Sequence, residues 1–147
     1  MPSSAAIGEL RVREFLAALG ERTPAPASGA AAALTGALAA SLVELAARFA
    51  EDGSAVTHAQ ALSTRLTQLA DEDAAAYTAF METRSNEARR RTIEVPEEIA
   101  EKADEVGRLA GQLRPQLTSS VAGDAEAAAE LARAAARVAR RLGELNA

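Results

Sequence analysis

The sequence predicts an all-α protein, an antiparallel bundle of about five helices. Alanine supplies about a quarter of the 147 residues, whereas aromatic residues make up only 3%. A core of Ala and Leu with few β-branched or aromatic side chains favours closely packed helices over sheets. Apolar residues also recur at helical spacing in successive segments, and the length suits a single domain over residues 1–147.

The composition excludes several functional classes. The chain has no cysteine, which rules out a disulfide scaffold, a zinc ribbon and a thiol nucleophile. A single histidine, His58, rules out a histidine-rich metal site, and the formal charge of −5 gives no basic field for nucleic acid. The N-terminal segment Met1 to Ser4 lacks the positive start of a secretion signal. We therefore expect a cytoplasmic protein.

The most apolar stretch, residues 29–43, carries no charge. It is about 15 residues long, short of the roughly 20 that a membrane span needs, and we expect a helix buried by protein on nearly all sides. Small residues at three-to-four spacing would let another backbone approach closely; they are Gly29, Ala32, Gly36 and Ala40.

The helices are predicted in chain order from these patterns and from their end signals. The first runs from Gly8 to about Leu19, the second from about Gly29 to Glu51, the third from about Ala55 to Arg84, the fourth from Pro96 to about Leu113, and the fifth follows Asp124. Residues 85–92, which include three consecutive arginines, are predicted as a polar connection or a fraying helix end, and Pro96 suits the first turn of the fourth helix.

The turn that enters the second helix is the first candidate site. Residues 23–29 cannot be regular helix because two prolines force the preceding residues into extended backbone. Small residues there would permit close approach of a ligand, and free N–H groups at the helix start can hold an anion. The alternative is a plain turn in which Ser28 caps the helix.

The third helix carries the second candidate. Asp73 and Tyr77 share one helix face with the apolar Leu69 and Phe80, whereas Glu72 points elsewhere into solvent. A carboxylate among apolar neighbours is desolvated, which perturbs its pKa and suits it to proton transfer. Asp124 is the third candidate, and the alternative for it is a helix cap without a catalytic role.

Four motifs follow one another along the chain. They are a Pro-x-Pro turn into an Ala-rich helix (residues 24–38), Asp-Glu-Asp-Ala with Tyr77 (71–77), Val-Pro-x-x-Ile-Ala (95–100), and Gly-Asp before the last helix (123–124). In this order they resemble the cyclodeaminase/cyclohydrolase family. Its members include the cyclodeaminase domain of formiminotransferase-cyclodeaminase and bacterial methenyltetrahydrofolate cyclohydrolases.

The resemblance implies a homodimer, or a larger dimer-based assembly, that acts on a folate-type small molecule. In the cyclodeaminase reaction the formimino group closes onto the second folate nitrogen and ammonia leaves. In the cyclohydrolase reaction water opens the methenyl bridge to give the formyl folate. Neither needs a metal or a cofactor beyond the tetrahydrofolate derivative that is the substrate. The implied catalytic residues are Asp73 and Asp124, and the implied substrate-binding residues are Pro26, Ala27, Ser28, Gly29 and Tyr77.

The turn departs from the family pattern. Ala27, Ser28, Gly29 and Ala30 stand where members typically have Gly-Gly-Gly-Ser. If the absent glycines adopt positive φ, or let the ligand lie on bare backbone, Ala27 and Ser28 would obstruct it. The first hypothesis is an enzyme, a C–N hydrolase or ammonia-lyase. The alternatives are a catalytically lapsed relative that binds another small ligand and a structural helical homodimer.

Overall fold

Four long helices lie side by side in a computed structural model that describes residues 5–147. The α-helices are α1 (Val12–Gly20), α2 (Ser28–Phe49), α3 (Gly53–Thr83), α4 (Asn86–Leu113) and α5 (Ser119–Asn146). Short 3₁₀ turns at Ile7–Glu9 and Arg114–Gln116 complete the described part of the chain, in which no strand occurs. The all-α prediction of about five helices is confirmed. Met1 to Ser4, on which the signal-peptide expectation rests, lie outside the described residues.

The core joins α2, α3, α4 and α5 through small side chains. Gly36 of α2 is buried, and a Cβ there would lie 3.1 Å from Leu66 Cδ1 of α3, so the two helices approach closely because glycine has no side chain. The whole small-residue stripe of α2 faces inward; it consists of Gly29, Ala32, Gly36 and Ala40. This stripe therefore packs within one chain.

The predicted first helix is in fact two elements. The 3₁₀ turn at Ile7–Glu9 is followed by extended Leu10 and Arg11, and only then does α1 begin. The N–H of Ile7 donates to Asp71 Oδ1 on α3 at 2.9 Å, which holds this segment on the bundle. The prediction of one helix from Gly8 missed this break, at which the Glu14 side chain accepts from the N–H of Arg11, the N-cap of α1, at 2.7 Å.

The connection between α3 and α4 is two residues long. Arg84 ends α3 in the left-handed conformation (φ 53°), and the Ser85 side chain accepts from the N–H of Ala88 to start α4. The prediction that residues 85–92 form a polar connection is wrong, as is the placement of Pro96 in a first turn. Pro96 lies in the interior of α4, and the helix continues through it although a proline there removes one helical hydrogen bond.

The last helix begins earlier than predicted. Ser119 is its first residue and Thr118 its N-cap, so Asp124 lies inside α5 and does not cap it. Val121 and Ala125 are buried, and their packing holds the first turns of the helix in place.

Helix α2 is open on one side. By length and composition it could cross a membrane, but 56% of its most apolar window is buried by the other helices, as in a core helix of a globular protein. Leu38 and Phe49, by contrast, are 64% and 65% exposed. Within residues 29–43 only Leu38 and Ser41 are exposed, so the expectation of burial on nearly all sides is confirmed for that stretch.

Candidate functional site

A cleft of about 220 Å³ lies where the start of α2 meets α3, α4 and the last turn of α5. The turn before α2 forms its rim, and the peptide bond between Ala25 and Pro26 is cis. The lining residues are Pro24, Ala25, Ala27, Ser28, Gly29, Asp73, Tyr77, Thr92, Leu142 and Asn146. Two of the sequence-predicted candidates, the turn and the Asp73 face of α3, therefore meet in one place. Pro26 lies in the turn, half-buried and next to the lining residues.

Asp73 is the ionisable group of the cleft. Among residues 5–147 its carboxyl group forms no hydrogen bond or ion pair, yet neither oxygen is sealed from solvent. Burial raises the pKa of Asp73 to about 6, from an ordinary value of 3.8. A carboxyl group with a pKa near neutrality can both accept and donate a proton under physiological conditions.

Gly29 makes room for that carboxyl group. A Cβ built on Gly29 would overlap Cγ and both carboxylate oxygens of Asp73, so any other residue would displace the side chain. Gly29 is buried at the start of α2, and its conformation is ordinary helix. The glycine is therefore required by the close approach of Asp73 and not by backbone strain.

The substitutions of the turn leave the cleft open. Ala27 has φ −144°, Ser28 is the first residue of α2, and neither lies in the left-handed region that favours glycine. Both line the cleft without filling it. Ala27 and Ser28 therefore lack the positive φ that would require glycine; the other part of the expectation, that they obstruct a ligand lying on bare backbone, stays a prediction.

The start of α2 presents its backbone to the cleft. The N-cap is Ala27, which forms no side-chain hydrogen bond, so the prediction that Ser28 caps the helix is wrong. The first helical N–H groups, from Ser28 onward, are left without a capping acceptor, and such groups carry the positive end of the helix dipole. They are available to an electronegative atom of a ligand.

The three consecutive acids of α3 have separate surroundings. Asp71 accepts from the N–H of Ile7, whereas Glu72 forms ion pairs with Arg65 and Arg91, at 2.5 Å and 3.3 Å. Only Asp73 lines the cleft. The prediction that Glu72 points away from the site is confirmed, and its charge is neutralised by arginines.

Tyr77 stands one helical turn from Asp73 at the mouth of the cleft. Its side chain is 37% exposed, and no hydrogen bond to its hydroxyl group occurs within the described part of the chain. The aromatic face and the free hydroxyl group are both accessible to a ligand that enters the cleft.

Comparison with known proteins identifies the family. The model of the formiminotransferase-cyclodeaminase family matches residues 11–147. The chain belongs to this family. A crystal structure of formiminotetrahydrofolate cyclodeaminase from Thermotoga maritima has the same fold, with a TM-score of 0.90 and 23% sequence identity; the match covers 95% of this chain and 79% of that one. A search of curated proteins found no match. The family resemblance drawn from the four motifs is confirmed.

Asp124, the second predicted catalytic residue, lies away from the cleft of the same chain. It precedes the two α5 residues that line the cleft, Leu142 and Asn146, by 18 and 22 positions. At 1.5 Å per helical residue, Leu142 is about 27 Å farther along α5. The structure does not bring Asp73 and Asp124 together within one chain. A role for Asp124 at this cleft would require a second copy of the chain, and it stays a prediction.

Three lining residues, Thr92, Leu142 and Asn146, lie outside the segments that were predicted to form the site. Thr92 was assigned to a connection, whereas it is a buried residue of α4. Asn146 lies in the last turn of α5 and donates from Nδ2 to the Thr92 carbonyl at 2.8 Å. The sequence signal for this pair is Pro96, which removes the usual helical partner of that carbonyl.

Proposed function

We propose that this family member carries out a one-carbon reaction on a tetrahydrofolate derivative, as a methenyltetrahydrofolate cyclohydrolase or a formiminotetrahydrofolate cyclodeaminase. The observation that carries the proposal is the Asp73 carboxyl group, which lies in a cleft at the start of α2 and has no hydrogen-bond or ion-pair partner among residues 5–147. Of the four positions where members typically have Gly-Gly-Gly-Ser, this chain has glycine only at Gly29, the position that the Asp73 carboxyl group requires. Retention of this one residue favours an active site over a lapsed one.

One carboxyl group suffices for either reaction. In the cyclohydrolase reaction ionised Asp73 takes a proton from the attacking water and stabilises the cationic methenyl bridge. In the cyclodeaminase reaction Asp73 takes the proton released when the second nitrogen attacks the formimino carbon, and it returns a proton to the departing ammonia. A pKa of about 6 allows both directions of transfer near neutral pH.

The size of the cleft determines how the ligand binds. Pockets that enclose a drug-sized ligand measure about 300–1,000 Å³, so a cleft of about 220 Å³ holds only one part of a folate. We assign the reacting ring system to the cleft and the rest of the ligand to the surface outside it. Tyr77 at the mouth would pack against the ligand, and the free N–H groups after Ala27 would receive a carbonyl oxygen.

The test is turnover of both substrates by the purified protein. Hydrolysis of methenyltetrahydrofolate is followed by its loss of absorbance, and cyclodeamination by release of ammonia, each against a buffer background. Asp73→Asn keeps the shape of the side chain, and we expect it to lower kcat by about 10²- to 10⁴-fold. Asp104→Asn is the matched control, the same substitution in another half-buried helical aspartate, which lies on α4 outside the cleft. A folded wild-type protein inactive on both substrates would contradict the proposal and favour a lapsed relative with another ligand.

We further propose that the functional unit is a dimer joined through α1 and α2. Helix α1 packs against the core through half-buried Phe15, but none of its residues is fully buried. Its apolar residues Val12 and Leu16 are exposed, as are Leu38, Leu45 and Phe49 along the outer face of α2. The family match includes α1, which makes this helix part of the common domain.

A second copy is the occupant that fits this surface. Between α1 and α2 runs a groove of about 490 Å³ with mainly apolar walls. Two copies related by a twofold axis would bury the same apolar stripe on each side, and no partner of different composition is needed. Burial of α2 between two chains would complete its shielding from water, which fits a cytoplasmic location.

A further inference from the structure

The interior of α4 contains an interrupted hydrogen bond. In a regular helix the N–H of residue 96 would donate to the carbonyl of Thr92, four positions earlier. Residue 96 is a fully buried proline, which has no N–H to donate. The Thr92 carbonyl therefore has no partner within its own helix, at a point where Thr92 lines the cleft.

Asn146 of α5 supplies the missing partner. Its Nδ2 donates to the Thr92 carbonyl at 2.8 Å, across 54 residues of sequence. One turn earlier Gly143 is buried against α4: a Cβ there would lie 3.8 Å from the Ile93 carbonyl oxygen. The close approach of α5 at Gly143 thus brings the Asn146 amide onto the free carbonyl.

This bond also orients the amide in the cleft. With Nδ2 committed to a carbonyl, the opposite end of the group, Oδ1, is an acceptor, and among residues 5–147 it receives no hydrogen bond. The Thr92 hydroxyl group donates to the Arg89 carbonyl at 2.6 Å, so it is not a free donor to the cleft. Asn146 consequently offers the cleft an acceptor whose direction is fixed.

We propose that Asn146 binds the ligand through Oδ1, which accepts a hydrogen bond from a ring N–H or amino group of the folate heterocycle. Pro96 is then a positioning residue, because it leaves the Thr92 carbonyl free to hold the Asn146 amide. The inference rests on the proposed folate function. It divides the cleft between Asp73, which transfers protons, and Asn146, which recognises an N–H group.

The binding role is tested with Asn146→Ala, and with Asn146→Asp as a variant of nearly equal size that cannot donate to the carbonyl. Calorimetric titration with tetrahydrofolate should show a Kd about three- to tenfold higher in both, the value of one hydrogen bond. KM should rise equally and kcat should stay unchanged. Asn86→Ala is the matched control, since Asn86 is exposed at the start of α4 and outside the cleft.

The positioning role is tested with Pro96→Ala, which gives the Thr92 carbonyl a helical N–H partner. We expect this variant to raise Kd and KM as Asn146→Ala does, and the double variant to be no weaker than Asn146→Ala alone. Pro115→Ala, in the 3₁₀ turn after α4, is the matched control. If the increases in Kd of the two single variants multiply in the double variant, the coupling between Pro96 and Asn146 is overturned.

The outcomes separate this inference from the proposed function. If wild-type protein turns over folate and the Asn146 variants keep its Kd and KM, the inference is overturned while the proposed function stands. If wild-type protein neither binds tetrahydrofolate nor turns over either substrate, the proposed function fails, and this inference fails with it.

Discussion

Gly29→Ala is the substitution that tests the architecture of the site most sharply. An alanine Cβ at this position would overlap the whole carboxyl group of Asp73. That group lies at the end of a side chain that can rotate about χ1, and the cleft offers space into which it can move. We therefore expect the carboxyl group to leave its position while α2 stays folded.

The magnitudes follow from a comparison within α2. Gly36→Ala places a Cβ 3.1 Å from Leu66 Cδ1, and fully buried Leu66 has no space to move into. Overpacking costs about 1–3 kcal/mol and replacing a helical glycine gains about 1 kcal/mol, so Gly36→Ala should lower the free energy of unfolding by about 1 kcal/mol. Gly29→Ala should not lower it, because rotation of Asp73 relieves the overlap and alanine favours the helix over glycine by up to about 1 kcal/mol.

The two variants should separate activity from stability. Denaturant unfolding measures stability, and turnover of methenyltetrahydrofolate or formiminotetrahydrofolate measures activity. Gly29→Ala should lose about 10²-fold or more in kcat with near-native stability, whereas Gly36→Ala should be less stable and active when folded. Wild-type kcat in Gly29→Ala would refute the reasoning, since catalysis would then not need the Asp73 carboxyl group where the structure holds it.

Three further predictions concern the charge of Asp73 and the apolar surface. Because the folded-state pKa of Asp73 is raised to about 6 from 3.8, folding favours the protonated form, and its stabilisation is lost as the pH rises through that window. Asp73→Asn should thus have a higher melting temperature than the wild type at about pH 8, and the difference should vanish towards pH 4; a constant difference would contradict the raised pKa. If Asp73 is the base for hydrolysis, kcat/KM should fall as the pH drops through about 6, and a flat profile would exclude it. Leu38→Glu should convert dimer to monomer in analytical ultracentrifugation, whereas Leu131→Glu, on the outside of α5, should not; an unchanged mass for Leu38→Glu would place the interface elsewhere.

Local sequence signals were sufficient for the number of helices, but not for their ends, and for two parts of the site, the turn and the Asp73 face of α3. The spacing of Asp73 with Leu69 and Tyr77 follows directly from helix geometry, so a carboxyl group at the edge of the apolar face could be recognised without a structure. The turn before Gly29 was equally visible, since two prolines interrupt any helix there. Because α2 and α3 pack along their length, the turn before α2 and the Asp73 face of α3 lie at the same cleft.

Long-range contacts explain what the sequence did not reveal. Pro96 was interpreted as a helix start because the partner that makes an interior proline acceptable, Asn146, is distant in sequence. Asp124 resembled a cap, but buried Val121 extends α5 in the N-terminal direction past it. In the turn, only the contact of Gly29 with Asp73, which is invisible in a single segment, shows which glycine the site needs.

The most direct test of the central claim is a carbon-13 NMR titration of the Asp73 carboxyl group, assigned with Asp73→Asn. We predict that this group titrates with a pKa of about 6 in the free protein and that tetrahydrofolate shifts its resonance and its pKa. Titration near the ordinary value of 3.8, or a resonance that saturating tetrahydrofolate leaves unchanged, would contradict a role for Asp73 as the reactive group of a folate cleft.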